Sequence, residues 1–130
     1  MWAERCERVA RERSLQWLVE PTMQRWFTAA ADPQLVTRVG QTFSETSVDG
    51  YLGHAAAIAA HHVSPEQLRS IAVPTLIVSG AGDSGTPVGA HEALAAGIPG
   101  SRLAVLAGLA HALPAQAPEL FAQLAADFLQ

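Results

Sequence analysis

Two ionisable residues, Asp83 and His111, each stand at the end of a short apolar run. Asp83 follows Val73-Pro-Thr-Leu-Ile-Val-Ser-Gly-Ala-Gly82, and His111 follows Arg102-Leu-Ala-Val-Leu-Ala-Gly-Leu-Ala110. Runs this short, bounded by Gly or Pro, are typical of buried β-strands rather than helices. The pattern therefore predicts two strands with chemistry at their tips, carried by one carboxylate and one imidazole.

The stretch between the two runs predicts how these side chains are positioned. Pro87 to Pro99 has apolar residues at helical spacing and closes with Gly97-Ile-Pro-Gly100, which is a helix stop signal. A strand, a crossover helix and a second strand form a right-handed unit whose strands run parallel. Their carboxyl ends face one edge of the sheet, where ligands of such sheets bind. Asp83 and His111 are expected to meet there.

The remaining residues predict helices and no further strand. Hydrophobic spacing favours helices over residues 2–19, 22–31, from 33 to about 43 and from 50 to about 62, with Pro21 at the junction of the first two. Ser64-Pro-Glu-Gln67 has the residues of a helix-capping motif, and residues 114–130 predict a final amphipathic helix against the sheet. Two strands alone expose edges and apolar faces. More chain, a partner or self-association is therefore expected to cover them.

Composition excludes several classes of function. The chain has 130 residues, of which 49% are hydrophobic, and this suits one globular domain or part of one. Its net charge of -4 leaves no basic stripe for nucleic acid. The single cysteine, Cys6, cannot form an internal disulfide, and no apolar run reaches the length of a membrane span. Because residues 1–8 are charged rather than apolar, we expect no signal peptide. A cytoplasmic protein without nucleic-acid or membrane partners is expected.

Two weaker motifs overlap the first apolar run. Gly80-Ala-Gly82-Asp-Ser-Gly85 fits the letters of a dinucleotide-binding fingerprint, but Pro87 interrupts the required helix, and no acidic residue between Glu92 and Glu119 could hold a ribose. The same segment resembles a GDS-type esterase motif with Ser84 as the nucleophile. That family needs an oxyanion-hole Asn, and this chain contains no Asn. The esterase alternative stays open as the lesser one.

Three histidines, His54, His61 and His62, fall on or beside the predicted alanine-rich helix. Residues 54 and 61 share a helix face, but two histidines at this separation with no nearby carboxylate make a poor metal site. They are predicted to be structural or solvent-facing, and no metal is expected.

Taken jointly, the two runs resemble the α/β-hydrolase family. Val73 to Pro87 fits its strand and acid loop, P-x-L-x-x-x-G-x-x-D-x-x-x-P, and Ile98 to His111 looks like its last strand and histidine. The acid and the histidine stand 28 residues apart, in the family's order. Upstream, three segments are similar to the helical cap of 3-oxoadipate enol-lactonases: Trp2-Ala-Glu-Arg5, Arg25-Trp-Phe27 and Asp49-Gly-Tyr-Leu-Gly-His-Ala-Ala-Ala-Ile58.

The resemblance implies roles for individual residues. Asp83 would be the orienting acid, His111 the general base, and Trp2 a lining residue of the acyl or lactone pocket, with no metal or cofactor. Residues 1–65 would form the helical cap, or lid, and residues 66–130 the carboxyl-terminal part of a partial α/β-hydrolase core. Gln116 stands where relatives often carry Glu, which leaves its contact undefined.

The family's nucleophile is missing from this sequence. Its Ser belongs to a G-x-S-x-G elbow upstream of the cap, and no G-x-S-x-G occurs in the chain. The expectation is therefore the carboxyl-terminal portion of a hydrolase for a small-molecule ester or lactone, inactive alone and completed by a missing amino-terminal half. The alternatives are a catalytically silent truncated product and an interaction module that pairs with a partner.

Overall fold

The computed structural model describes residues 2–130, which contain eight helices and two strands. In chain order these elements are α1 (Trp2–Glu12), α2 (Gln16–Trp26), α3 (Pro33–Ser44), α4 (Val48–Ala60), α5 (Pro65–Arg69), β1 (Leu76–Gly80), α6 (Val88–Gly97), β2 (Arg102–Leu106), α7 (Leu113–Gln116) and α8 (Pro118–Leu129). Helices alone occupy the first half of the described chain. The strand, helix, strand unit predicted from the sequence follows, as expected.

Three helices begin at the residues that local sequence chemistry favours. Asp32 accepts a hydrogen bond from the Gln34 amide at the start of α3, and Ser47 accepts one from the Gly50 amide at the start of α4. At α5 the Ser64 hydroxyl accepts from the Gln67 amide, while the Gln67 side chain accepts from the Ser64 amide. Such caps satisfy amide groups that lack a partner within the helix.

The prediction of a single helix over residues 2–19 is wrong in its carboxyl-terminal part, because α1 ends at Glu12 and α2 begins at Gln16. Arg13 has a φ of 50° and ends α1, and its guanidinium pairs with the Asp49 carboxylate on α4 at 2.7 Å. Helix α2 then runs through Pro21, which was expected to separate two helices. Burial of Leu18 and Met23 on either side of this proline stabilises α2 despite the missing N–H.

The predicted final helix, 114–130, is also divided. Ala117 has φ -139° and ψ 65°, so it belongs to neither α7 nor α8. The residue before a proline is pushed away from helical backbone angles, and Pro118 follows here. The two segments therefore pack as separate helices.

Two small hydrophobic clusters hold the amino-terminal helices together. One is centred on Val9, Leu15 and Leu18, and the other on Met23, Phe27 and Ala31. Each fully buried Leu or Val contributes roughly 1.5–3 kcal/mol to folding. The second cluster also contacts Ala112, so it joins the helices to the segment beside His111.

The sheet consists of β1 and β2, which pair in parallel from Leu76 opposite Arg102 to Gly80 opposite Leu106. The amide of Gly82 extends the pairing by donating to the Leu109 carbonyl at 2.9 Å. The sheet is only partly covered, since Val105 on β2 is 44% exposed. These features confirm the partial α/β fold predicted from the sequence, with both strand ends at one edge.

Candidate active site

Asp83 lies three residues beyond β1 in a turn that surrounds its carboxylate with donors. The Gly85 and Thr86 amides donate to Oδ1 at 2.8 and 3.0 Å, and the Thr86 hydroxyl donates to Oδ2 at 2.7 Å. The Asp83 side chain is only 4% exposed. A carboxylate so buried and so fully bonded is held in one orientation.

His111 lies in the turn beyond β2, with its Nδ1 atom 2.8 Å from Asp83 Oδ2. A carboxylate oxygen can only accept, so this contact favours the tautomer whose Nδ1 carries the proton. The Nε2 atom, across the ring, is then the unprotonated nitrogen. The His111 side chain is 43% exposed and lines a cleft. The structure thus brings together the two residues that the sequence singled out.

The environment of Asp83 favours its charged form. Burial alone raises the pKa of a carboxyl group, but the hydrogen bonds from Thr86, His111 and Gly85 outweigh burial and lower the pKa of Asp83 from 3.8 to about 2. Asp83 is therefore ionised at neutral pH. It can stabilise positive charge on His111 when that imidazole takes up a proton.

The aromatic side chain of Trp26 stacks on the His111 imidazole. The ring centroids are 5.8 Å apart with an interplanar angle of 28°, which is a stacked arrangement. Trp26 also contacts Phe43 edge-on at 5.8 Å, and Phe43 contacts Tyr51 at 6.3 Å. This aromatic row forms one wall beside the imidazole.

The cleft beside His111 has a volume of about 440 Å³ and combines apolar and cationic walls. Its lining includes, besides the residues above, Trp2, Arg5, Thr22, Arg25 and Ile58. Arg5 lies over the Trp2 ring, and Arg25 donates to Thr22 Oγ1. A larger groove of about 850 Å³ lies between α2 and α3 but contains neither Asp83 nor His111. We therefore place the site in the smaller cleft.

Some residues of the site had no clear signal in the sequence. No motif in the sequence indicated that Trp26 would stack on His111 or that the Thr86 hydroxyl would donate to Asp83. The segment Arg25-Trp-Phe27 is similar to the enol-lactonase cap, but this similarity did not indicate a contact between Trp26 and His111. Ser84 itself is exposed and lies outside the cleft, while its neighbours Asp83 and Gly85 line it.

Residues 2–130 contain no group of three or more His, Cys, Asp or Glu side chains that could hold a metal ion. His54, His61 and His62 are all exposed, as predicted. The same residues include no helix long and apolar enough to cross a membrane.

Comparison with known proteins gives this arrangement a family. No family model matches the chain. It is 31% identical over 123 residues to 3-oxoadipate enol-lactonase 2 of Acinetobacter baylyi, covering 92% of this chain and 45% of the relative. The enol-lactonase structure from Burkholderia xenovorans LB400 superposes with a TM-score of 0.89 at 27% identity, over 99% of this chain and 50% of that one. The chain corresponds to the carboxyl-terminal half of an α/β-hydrolase.

Further comparisons agree with this α/β-hydrolase assignment. A second Acinetobacter baylyi relative, 3-oxoadipate enol-lactonase 1, is 30% identical over 132 residues, covering 99% of this chain and 48% of the relative. A thermophilic esterase from Thermogutta terrifontis shares the fold, with a TM-score of 0.85 at 24% identity. The chain spans about half the length of the curated relatives it matches.

Proposed function

We propose that this chain supplies the general base, His111, and the orienting acid, Asp83, of a Ser-His-Asp hydrolase for small esters or lactones. One observation carries the proposal. The two side chains form a 2.8 Å contact at the edge of the sheet where β1 and β2 both end. From this position His111 lines the cleft. A buried carboxylate behind a partly exposed imidazole is the arrangement that proton transfer to a serine requires.

Each residue has a defined part in the proposed reaction. His111 Nε2 takes the proton of a serine hydroxyl as its oxygen attacks the carbonyl carbon of the substrate. The imidazolium then gives this proton to the leaving alkoxide as the carbon–oxygen bond breaks, which leaves an acyl-serine. Water, deprotonated by the same nitrogen, then attacks the acyl carbon; the bond to the serine oxygen breaks, the imidazolium returns its proton to that oxygen, and the acid leaves. Asp83 stays ionised throughout because its pKa is about 2.

The serine and its oxyanion site would come from another segment. The chain contains no G-x-S-x-G and spans about half of its curated relatives. We assign residues 1–65 to the cap and residues 66–130 to the core, and we expect the chain alone to be inactive. The partly exposed β2 and the exposed Leu129 on α8, at 81%, suit a surface that an amino-terminal half covers.

The residues that line the cleft indicate which kind of substrate it would bind. Trp2, Trp26 and Phe43 offer apolar rings for an acyl or lactone group, and Arg5 and Arg25 add two positive charges. Asp83 is the one carboxylate among the lining residues, and it is already bonded to His111. The relatives are named as 3-oxoadipate enol-lactonases, and a small lactone or ester that carries an acid group fits the same cleft.

Complementation tests the proposal. The chain is mixed with a segment that carries the strand and G-x-S-x-G elbow of an enol-lactonase, and hydrolysis of p-nitrophenyl esters is followed. We expect activity in the mixture, none in either part alone, and its loss in His111→Ala. Activity of this chain alone that disappears in Ser84→Ala would instead support the GDS-type esterase.

A further inference from the structure

We infer that Trp26, Thr28 and Gln116 form a clasp that positions the His111 imidazole against Asp83. The inference rests on the proposed function, since it assigns positioning residues to the proposed base. The clasp joins the end of α2 to the turn that carries His111 and to α7. None of its members needs to touch substrate in order to act.

The side chain of Gln116 makes two hydrogen bonds, and both join it to Thr28. Its Oε1 accepts from the Thr28 amide at 3.3 Å, and its Nε2 donates to Thr28 Oγ1 at 2.6 Å. The Thr28 hydroxyl then donates to the Gly108 carbonyl at 3.1 Å. Thr28 and Gln116 are 88 residues apart in sequence, and their bonds anchor the His111 turn on its amino-terminal side.

The identity of residue 116 sets the direction of this network. A hydroxyl has one proton to donate, and because the Gln116 amide donates to Thr28 Oγ1, that proton is directed to Gly108. A Glu carboxylate could only accept, so it would compete for the same proton. The Gly108 carbonyl would then lose its donor. Gln116 therefore bonds the turn more fully than a Glu at this position would.

A second set of contacts holds the other side of His111. The Ala112 amide donates to the Trp26 carbonyl at 2.8 Å, and the Trp26 ring stacks on the imidazole itself. The turn has no strand or helix of its own between β2 and α7, and Gly108 adopts a φ of +75°. Contacts from the α2 end on both flanks therefore limit the positions open to the ring.

The clasp is expected to affect which ring nitrogen of His111 carries the proton. The contact at 2.8 Å between Nδ1 and Asp83 fixes the tautomer only while the imidazole stays in its present orientation. Displacing a catalytic group by about 1 Å can cost roughly a hundredfold in rate. Loss of the clasp is expected to let the ring rotate and mix its tautomers.

Nitrogen-15 NMR of the histidine rings in this chain tests the clasp without substrate or partner. We compare Thr28→Val and Gln116→Glu with two controls, Thr37→Val and Gln123→Glu, whose side-chain bonds are local to α3 and α8. Thr28→Ser, which keeps the hydroxyl, serves as the rescue. Assignment of His111 comes from His111→Ala.

Wild type, the controls and Thr28→Ser are expected to show His111 mainly as the tautomer protonated at Nδ1, with a small and equal fraction of the other. Thr28→Val and Gln116→Glu should raise the other tautomer about threefold to tenfold, the factor expected for loss of one hydrogen bond. Retention of the wild-type tautomer fractions in both variants, folded by circular dichroism, would overturn the clasp. If Thr28→Val does not fold, the nearly isosteric Gln116→Glu decides alone. The proposed hydrolase would be unaffected, since its own test is ester hydrolysis after complementation.

Discussion

His111 Nδ1 lies 2.8 Å from Asp83 Oδ2, although 28 residues separate the two in sequence. The parallel pairing of β1 with β2 produces this contact, because it places the turns beyond both strands at one edge of the sheet. Thr86 then fixes the carboxylate through its amide and its hydroxyl. The proposed acid and base are thus positioned by elements of this chain alone.

Replacement of Asp83 by Asn tests its orienting role. Asn has the size of Asp, but its amide can donate as well as accept, so it can hold the imidazole in the wrong tautomer. The same change in a serine protease lowers kcat about 10⁴-fold, and we expect a loss of at least about 10³-fold in the complemented hydrolase. Measured kcat is the readout, and Asp127→Asn on the exposed side of α8 is the control. An Asp83→Asn variant as active as the control would refute the role.

The lowered pKa of Asp83, about 2 against 3.8, predicts a pH dependence of stability. A carboxyl whose pKa falls on folding stabilises the native state above its unfolded pKa, by roughly 2 kcal/mol for a change of this size. This stability is lost as pH falls from about 4 to about 2. Urea unfolding of wild type and Asp83→Asn, compared from pH 2 to 7, checks it. A difference between the two proteins that does not change with pH would contradict the expectation.

We expect that a larger side chain in place of Gly80, at the end of β1, lowers the free energy of unfolding. A Cβ there would lie 2.7 Å from the Leu109 carbonyl oxygen and would also clash with that of Ala110, the residue before His111. Gly80→Ala should therefore destabilise the protein by about 1–3 kcal/mol, as overpacking does. Gly89→Ala is the matched control, because its Cβ would meet nothing within 4 Å. Equal unfolding free energies for the two variants would disprove this packing.

The partly covered sheet predicts self-association of the isolated chain. Val105 on β2 is 44% exposed, and Leu120 and Leu129 on α8 are 51% and 81% exposed. Exposed apolar groups beside an unpaired strand edge favour association. Light scattering should give a mass above 13.7 kDa, and Val105→Lys should reduce it. A compact, stable monomer would contradict this account of the surface.

Much of the fold followed from local sequence signals. The Gly-bounded apolar runs predicted β1 and β2, and Ser64 with Gln67 predicted the start of α5, because each signal acts within a few residues. The end of α1 at Arg13 could not be predicted, since few Arg residues adopt a positive φ, and its pairing with Asp49 is a tertiary contact. Secondary structure was therefore predictable except where distant packing decided it.

The site was only partly predictable for the same reason. The parallel unit predicted that Asp83 and His111 meet, and their catalytic roles remain proposals. The stacking of Trp26 on His111 and the bonds between Thr28 and Gln116 join residues about 85 or more positions apart. No periodicity or motif indicates contacts over such separations, so they required the folded chain.

A single-chain fusion gives the most direct measurement of the central claim. The amino-terminal half of an enol-lactonase, with its G-x-S-x-G elbow, is joined to this chain, and kcat/KM for ester and lactone hydrolysis is compared for wild type, His111→Ala and the exposed control His62→Ala. We predict hydrolysis by wild type and the control and a loss of at least about 10³-fold in His111→Ala. A folded fusion that is inactive, or whose activity survives in His111→Ala, would contradict the assignment of His111 as the base.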